Sequence, residues 1–407
     1  MQQEPRVFLL IESNTSGTGR LFCRVARKLG LNPILVAKDA SRYPYVAQDG
    51  IEVLHTDTSD HSALAAAICD FAAAHSIAGI YSSSDYFTEI ASRLALRLGF
   101  PGPDPEAVAI CRNKGKQREA FRKAGLPVPQ FRLHTSCVFN GDAAAGIDFP
   151  VVVKPTEGSG SVGVKLCCNP EEAAAQMRLL LEKKCNERGL PLPQEVLIEH
   201  YLDGPEYSVE MFGLQAVGVT RKHLSVEPYF IEVGHDFPAT LTSQTRCAIQ
   251  EAATRALSAV GLSWGPAHVE LRLTSSGPVV VEINPRLAGG FIPELVRLST
   301  GIDLIEATVS AAIDQVSDVH ATSSKHASIR FLMPRATGVL REIHGFEEAA
   351  SLEGVADLAL YRKAGDPLTA HGDFRDRLGH VISCHDSAER AIQVAQQALG
   401  MLVVENV

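Results

Sequence analysis

The sequence predicts an α/β chain, α+β overall, with a parallel sheet first and antiparallel strands after it. Three observations carry this. Strands separated by helices of about ten to fifteen residues fill the first hundred positions, and such alternation implies parallel pairing through crossover helices. Between 207 and 281 the pattern changes to strands with few helices, as antiparallel pairing requires. The full 407 residues, at roughly 150 per domain, make two to four units.

In order, residues 6–11 form a short apolar strand and 20–29 a helix, joined by a loop from Ser13 to Gly19. Residues 33–37 are a second strand. An alanine-rich helix, 62–75, leads into a strand at 77–81, and a further helix, 86–98, ends at Gly99. A sheet of this kind binds ligands beyond the carboxyl ends of its strands, where loops 13–19 and 82–85 lie. The Gly17-x-Gly19 element there reads as a tight turn, since a dinucleotide fingerprint needs Gly or Ala at the position of Phe22. Asp85 and Glu89 read as surface polarity, with contact to a substrate ammonium group as the other reading. The breaker cluster Pro101-Gly102-Pro103-Asp104-Pro105 closes this unit.

Asn113, a good N-cap residue, starts a helix that runs to Gly125. Strands at 151–154 and 162–168 flank a loop of small residues. A helix covers 170–184, and a strand at 196–201 follows the loop 186–194. After the strands of 207–281 an amphipathic helix follows Gly290, and a break at 318–325 sets off a tail of strands and helices.

Composition narrows the class. Hydrophobic residues are 45% and charged residues 21%, ordinary for a globular chain and outside the disordered range. The formal net charge is −9 with no like-charge run at either end, which argues against nucleic acid or an anionic membrane as the main partner. The polar start and the short apolar run broken by Glu12 match neither a signal peptide nor the ~20 residues needed to span a bilayer. Nine cysteines without a Cys-x-x-Cys pair read as reduced thiols of a cytoplasmic enzyme, not as a disulfide framework or zinc site. Adjacent Cys167 and Cys168 read as packing residues.

Two passages carry chemistry. The first is Phe149-Pro150-Val151-Val152-Val153-Lys154-Pro155, followed by Gly158-Ser159-Gly160-Ser161-Val162-Gly163. A lysine within an apolar strand must reach solvent or meet an anion. Glycines at 158, 160 and 163 leave backbone N–H groups open to phosphate oxygens. A P-loop does not fit, because Val164, Lys165 and Leu166 follow Gly163 where Lys and then Ser or Thr are required. On these residues alone two readings stay open: a phosphate cradle, and a flexible hairpin with a snorkelling lysine.

The second passage is 266–273 with 279–286. Alternation puts His268, Glu270 and Arg272 on one strand face. A hairpin centred on Ser276 sets Glu270 opposite Glu282 and His268 opposite Asn284. Two carboxylates facing each other on one sheet face repel. A divalent cation removes the repulsion, and the oxygens of Glu270, Glu282 and Asn284 suit Mg²⁺ with substrate phosphates completing the shell. A water-separated pair or one protonated glutamate is the other reading. Arg286, just past Pro285, lies close in sequence to these oxygens and can steady phosphoryl charge in transfer. A helix opening at Gly289-Gly290 adds its N-terminal dipole.

With these residues in order, the chain resembles the ATP-grasp superfamily, and most closely its bacilysin-type L-amino acid ligase branch. One carrier segment runs from Asn113-Lys114 to Gly125-Leu126-Pro127-Val128-Pro129, and Lys154-Pro155 with its glycine loop is the next. The others are Val196-Leu197-Ile198-Glu199-His200-Tyr201-Leu202 with Gly204-Pro205-Glu206, and Val281-Glu282-Ile283-Asn284-Pro285-Arg286. The resemblance implies the ATP-grasp fold in four units. These are an N-terminal parallel α/β domain (1–112), a mobile lid subdomain with its leading helix (113–200), an antiparallel-sheet catalytic and metal subdomain (201–325), and a small C-terminal α+β domain (326–407).

It also implies ATP and Mg²⁺ as cofactors, two ions, with Mn²⁺ able to substitute. Lys114 then contacts ATP phosphate, and Lys154 reaches between adenine and phosphate. Gly158, Ser159, Gly160, Ser161 and Gly163 form the lid over the phosphates. Glu199, His200, Tyr201 and Leu202 form the hinge strand against the adenine edge, and Glu206 meets the ribose. Glu270, Glu282 and Asn284 hold metal, and Arg286 steadies the acyl phosphate. Asn113 stands where the family more often has Asp, and still caps the helix. His268 is a candidate catalytic base or substrate-orienting residue, with packing as the alternative. Residues 222–239, with Tyr229, Glu232 and His235, resemble the substrate-contacting stretch. Residues 327–404 resemble the small C-terminal domain, to which no chemistry attaches.

The activity implied is ATP-dependent carboxylate–amine ligation in the cytoplasm. A carboxylate attacks the γ-phosphate to give an acyl phosphate, and an amine displaces phosphate to leave an amide or dipeptide bond. Partners are then small molecules, an amino acid or other carboxylate and an amine, with no nucleic acid, no membrane and room for a homo-oligomer. Two alternatives stand beside it: an ATP-grasp carboxylase or purine-pathway-type ligase using bicarbonate, and an ATP-binding regulatory module without turnover.

Overall fold

The computed structural model describes residues 6–15, 17–135, 144–186, 188–225 and 227–407. The polar start at 1–5, Ser16 of the first loop and Glu187 of the 186–194 loop lie outside the described residues.

Strands β1 (Val7–Ile11), β2 (Asn32–Ala37), β3 (Glu52–His55) and β4 (Ile77–Tyr81) form a parallel sheet in the order β3-β2-β1-β4. Helices α1 (Thr18–Lys28), α2 (Pro44–Asp49) and α3 (His61–Ala74) connect them, and α4 (Thr88–Arg97) follows. β1 is buried at every residue, which is why a continuous apolar run marks it as central. The sequence reading omitted α2 and β3. β3 is an edge strand without a buried residue, so it lacks the apolar run that announces the others.

Helix α5 (Pro105–Arg112) begins inside the predicted breaker cluster, with Asp104 accepting from Glu106 N and Pro105 in the first turn. The same residues that stop one unit start a helix, because proline suits the first helical position. Helix α6 (Lys114–Lys123) starts where predicted, and Asn113 Oδ1 accepts from Lys116 N at 3.0 Å.

Strands β5 (Phe131–His134), β6 (Val151–Pro155), β7 (Lys165–Cys167) and β8 (Val196–His200) form a second sheet in the order β5-β8-β6-β7. Helix α7 (Pro170–Glu182) covers it through Ala173, Met177 and Leu181. β7 is shorter than the predicted 162–168. Gly158, Gly160, Ser161 and Gly163 all take positive φ, which ends strand geometry and lengthens the loop. Cys167 is buried in this core, whereas Cys168 is exposed.

The remaining strands are β9 (Glu206–Phe212), β10 (Gln215–Leu224), β11 (Glu232–Phe237), β12 (Pro266–Thr274), β13 (Gly277–Asn284) and β14 (His326–Leu332), then β15 (Gly338–His344), β16 (Val355–Leu360), β17 (Pro367–Leu368), β18 (Gly379–His385) and β19 (Val403–Asn406). Their helices are α8 (Ser243–Val260), α9 (Ile292–Thr300), α10 (Leu304–Ala312), α11 (Phe346–Ala350) and α12 (Ala388–Met401). One eight-stranded sheet runs β13-β12-β9-β10-β11-β14-β18-β16, so strands after residue 325 extend the sheet begun at 206. A small sheet, β17-β15-β19, stands apart from it.

One face of the large sheet packs on α8. Tyr207, Val209, Met211, Val269, Leu271 and Ile283 share a buried cluster with Ile249, Ala253, Leu257 and Val260 of the helix. At roughly 1.5–3 kcal/mol for each buried aliphatic side chain, this face fixes the register. A slip of one residue would turn the polar positions into that core.

Candidate active site

The opposite face of the same sheet is polar, and its register assembles the site. Glu282 of β13 pairs with Glu270 of β12, which pairs with Ser208 of β9. Beside that row, Asn284 pairs with His268, and His268 with Glu210. On the other side, Arg272 pairs with Glu206, Glu206 with Lys222, and Lys222 with His235. Rows of charge follow because side chains at alternate strand positions share a face.

The predicted pairs Glu270–Glu282 and His268–Asn284 are present, by a different route. The turn pairs Thr274 with Gly277, so its centre lies between Ser275 and Ser276. A bulge beside Leu271, with Val281 as the extra residue, then restores the offset.

Lys222 is the hub of this face. It is 3% exposed, with Nζ 2.8 Å from Glu206, 2.9 Å from Glu232 and 2.6 Å from Glu270. Burial alone would favour the neutral amine, yet three carboxylates hold its pKa well above the ordinary lysine value. Glu270 Oε1 also lies 3.2 Å from His268 Nε2 and 3.3 Å from Asn284 Nδ2. The other ring nitrogen of His268 is 3.0 Å from Glu210 Oε2. Burial pushes this imidazole down, but Glu210 and Glu270 outweigh it and raise its pKa to about 10. His268 is therefore an imidazolium between two carboxylates. In that position it orients the Glu270 carboxylate.

Lys114 Nζ reaches Glu282 Oε1 at 2.8 Å and donates to Gly158 O at 3.3 Å, joining β13 to the glycine loop. Lys154 donates to Glu199 Oε1, and Arg118 Nε to Glu199 Oε2 at 3.0 Å. Burial would raise the Glu199 carboxyl, but the two cations lower it to about 2. Burial lowers Lys154, with Arg118 and Lys114 adding to the effect. Two cations share one carboxylate here, so the cluster favours a further anion.

A cleft of about 810 Å³ joins these groups. Lys114, Lys154, Glu270 and Glu282 line it beside Gly158, Ser159, Gly160 and Ser161 of the loop. Glu199, His200, Tyr201, Leu202 and Glu206 form another wall. Glu206 differs from a free ribose ligand, since Lys222 holds one oxygen and Arg272 Nε the other at 3.2 Å. Gly163 falls outside the cleft and lines the cavity behind the loop, its carbonyl accepting from Gln176 Nε2 at 2.8 Å. Asn284 is buried and touches the site through Glu270.

His268 and Arg286 line a second chamber of about 920 Å³ that shares Ser159, Gly160, Glu232 and Glu270 with the cleft. Arg286 Nη2 donates to Asp85 Oδ2 at 2.5 Å, and Arg112 stands 3.2 Å from the same carboxylate. Asp85 is thus no surface residue. It is 8% exposed, and although burial would raise its carboxyl, the two arginines lower it. Glu89 does lie at the surface, paired with Arg93. His235 is fully buried 3.6 Å from Glu232 Oε2, and neither ring nitrogen makes a hydrogen bond among the described residues. Burial lowers its pKa to about 3 and leaves a neutral imidazole.

Sequence reasoning passed over Arg118, Glu210 and Arg377. Arg118 had a signal: with Lys114, Gln117 and Phe121 it forms the buried stripe of α6 at helical spacing, polar where apolar residues belong. Glu210 had one too, falling on the Glu206–Ser208 face of a strand whose other face is apolar. Arg377 gave none, since its partner Glu232 is 145 residues away.

Glu270 and Glu282 oppose each other in register with the Asn284 amide alongside, and this hard-oxygen donor set fits Mg²⁺. Lys222, His268 and Lys114 neutralise the carboxylates here. Asn284 presents Nδ2 to Glu270, and a half-turn of its amide presents Oδ1 to a metal. Among the described residues, a close set of three His, Cys, Asp or Glu ligand atoms occurs elsewhere, at Glu342, His344 and Glu405 of the small sheet.

Comparison with known proteins agrees with this geometry. Residues 147–294 match the ATP-grasp domain family, 23–102 the ATP-grasp N-terminal domain, and 330–407 the L-amino acid ligase C-terminal domain 2. The chain is 37% identical over 394 residues to the uncharacterized protein y4rH of Sinorhizobium fredii, covering 97% of this chain and 82% of that one. Carnosine synthase 1 of Gallus gallus is 30% identical over 236 residues, which are 54% of this chain but 25% of that protein. The crystal structure of an L-amino acid ligase from Bacillus licheniformis superposes with a TM-score of 0.82 at 21% identity over 100% of each chain, a likeness of fold. No helix among the described residues is long and apolar enough to cross a membrane. The chain belongs to the ATP-grasp superfamily and carries the C-terminal domain of its L-amino acid ligase branch.

Proposed function

We propose that this chain is an ATP-dependent ligase that joins an amino acid to an amine, in the first instance a second amino acid, through an acyl phosphate. The observation that carries this reading is that the two chambers adjoin. Ser159, Gly160, Glu232 and Glu270 line both the cleft with the hinge, glycine loop and lysines and the chamber of Arg286. A nucleotide with its adenine against the backbone of Glu199, His200, Tyr201 and Leu202 and its phosphates under the loop directs the γ-phosphate at that shared wall.

Lys114 and Lys154 neutralise phosphate oxygens, with Gly158, Ser159, Gly160 and Ser161 closing over them. Glu270, Glu282 and Asn284 would hold Mg²⁺, which would supply charge neutralisation there. A substrate carboxylate oxygen attacks the γ-phosphorus, the bond to the ADP oxygen breaks, and ADP leaves with the electron pair. Arg286 steadies the transferred charge and then the acyl phosphate. The amine nitrogen attacks the acyl carbon, a C–N bond forms, and phosphate leaves with the C–O electron pair. The nitrogen loses its proton to the departing phosphate, since His268 is held cationic and His235, with a pKa of about 3, is too weak a base. The glycine loop excludes water from the intermediate.

The units 1–112, 113–200, 201–325 and 326–407 serve as working divisions of this machine, the last two sharing a sheet. Free cysteines and ATP dependence fit a cytoplasmic setting. The reading is tested with Glu282→Ala. ADP formation falls by about a thousandfold, in keeping with several kcal/mol of metal stabilisation, while thermal unfolding stays cooperative. Near-normal turnover in that variant would remove the metal site and the mechanism with it.

A further inference from the structure

Resting on the ligase reading above, we propose that the loop from His371 to Arg377 is the specificity wall for the amine substrate. Phe374 bounds that substrate's side chain, and Arg377 positions the Glu232 carboxylate that receives its ammonium group.

Phe374 and Arg377 line the chamber of Arg286, and neither lines the nucleotide cleft. The loop is held in shape from within. Asp376, itself buried, accepts from His371 N at 2.8 Å and Gly372 N at 2.9 Å, and buried Asp373 accepts from Arg375 N at 3.0 Å. It is also held against its neighbours. A Cβ on Gly372 would stand 2.9 Å from the Tyr229 ring, and a Cβ on Gly160 would stand 2.5 Å from Phe374 Cδ1. The Phe374 ring therefore rests on the glycine loop itself, yet it remains 44% exposed. A large apolar ring with an open face, in a chamber that Phe22 and Ile292 also line, favours an acceptor with an apolar side chain.

Arg377 works through Glu232. Its Nη2 donates to Glu232 Oε2 at 2.9 Å, and Nε and Nη2 donate to the Glu232 carbonyl at 3.2 and 3.0 Å. The guanidinium lies 3.7 Å over the Phe331 ring, while Lys222 holds the other carboxylate oxygen at 2.9 Å. Both oxygens are thus pinned from different strands and loops, and the carboxylate keeps one orientation beside His235. Lys222 is shared with Glu206 and Glu270, and each carboxylate oxygen keeps a second acceptor site, so the fixed Glu232 can still accept from a substrate ammonium group.

Hydroxylamine separates this proposal from the reading it rests on, because it captures an acyl phosphate and is too small to need the loop. Wild type, Phe374→Ala, Arg377→Ala and Arg377→Lys are assayed with ATP and each of a panel of amino acids, with hydroxylamine or a second amino acid as acceptor. The expected result is a changed ratio of amide to hydroxamate formation. In Phe374→Ala the preferred acceptor moves to larger apolar side chains, by about tenfold or more in relative kcat/KM. In Arg377→Ala the acceptor KM rises by about tenfold, and Arg377→Lys recovers part of it through one remaining donor. An acceptor profile unmoved in both Phe374→Ala and Arg377→Ala overturns the role of the loop, as does a shift in the carboxylate profile instead. If Arg377→Ala fails to fold, Phe374→Ala decides, since its side chain is exposed. If wild type forms no hydroxamate with any amino acid, the ligase reading fails and this proposal falls with it.

Discussion

Each charged group in the cleft is held by opposite charge from a different element, and that sets its protonation. Glu199 has a pKa of about 2 against an ordinary 4.5, because Arg118 and Lys154 outweigh the cost of its burial. A carboxyl lowered on folding contributes stability that is complete above its unfolded value and is lost as pH falls through 4.5 toward 2. The shift corresponds to about 3 kcal/mol. Thermal unfolding of wild type and Glu199→Gln from about pH 7 to about pH 3 therefore shows a gap in Tm that is widest at neutrality and narrows in acid. A gap independent of pH would contradict the buried triad. The types of these residues were legible in the sequence, and their partners were not. Arg118 meets Glu199 across 81 positions and Arg286 meets Asp85 across 201, so the pairing belongs to the fold. Asp85 looked like surface polarity because nothing near it in sequence announces two arginines.

Local chemistry made some elements legible and hid others. The start of α6 follows from one side chain, with Asn113 Oδ1 accepting from Lys116 N at 3.0 Å. The next residue is Lys114, whose Nζ bridges Glu282 and Gly158. Asn113→Ala removes the cap, costs about 1 kcal/mol, and lowers Tm by about 2 °C. It also raises the KM for ATP, because the first turn carries Lys114. Asn113→Asp keeps both properties, since an aspartate oxygen caps the same N–H. Unchanged Tm and KM in the alanine variant would contradict this account of the helix start. The β12–β13 hairpin was legible through its alternation, whereas the bulge at Val281 was not, because Val279, Val280 and Val281 are alike. The end of the glycine loop was also misread. Apolar residues from Val162 onward suggested a strand, but positive φ at Ser161 and Gly163 delays it to Lys165.

Over the whole molecule, distant segments close on the site from two sides. From one side, Arg188 Nη2 donates to Glu12 Oε2 at 2.8 Å and stands 5.5 Å over the Tyr43 ring, tying the loop after α7 to the end of β1. From the C-terminal part, β14 pairs with β11 and carries the large sheet onward, and Arg377 crosses to Glu232. None of this was legible, because strand order and cross-domain ion pairs leave no spacing behind. The overall charge of −9 was legible, and it describes the surface more than the site. Lys114, Lys154 and Arg118 concentrate positive charge at the hinge end of the cleft, while Lys222 gathers three carboxylates beside it. The most direct test of the central claim is phosphate release from ATP across a matrix of amino acid pairs, with mass detection of the product. The account predicts equal amounts of ADP and phosphate and an amide product for at least one pair, dependent on both amino acids and on Mg²⁺. ADP release that requires bicarbonate and no amino acid, or ATP binding without product for every pair, would contradict it.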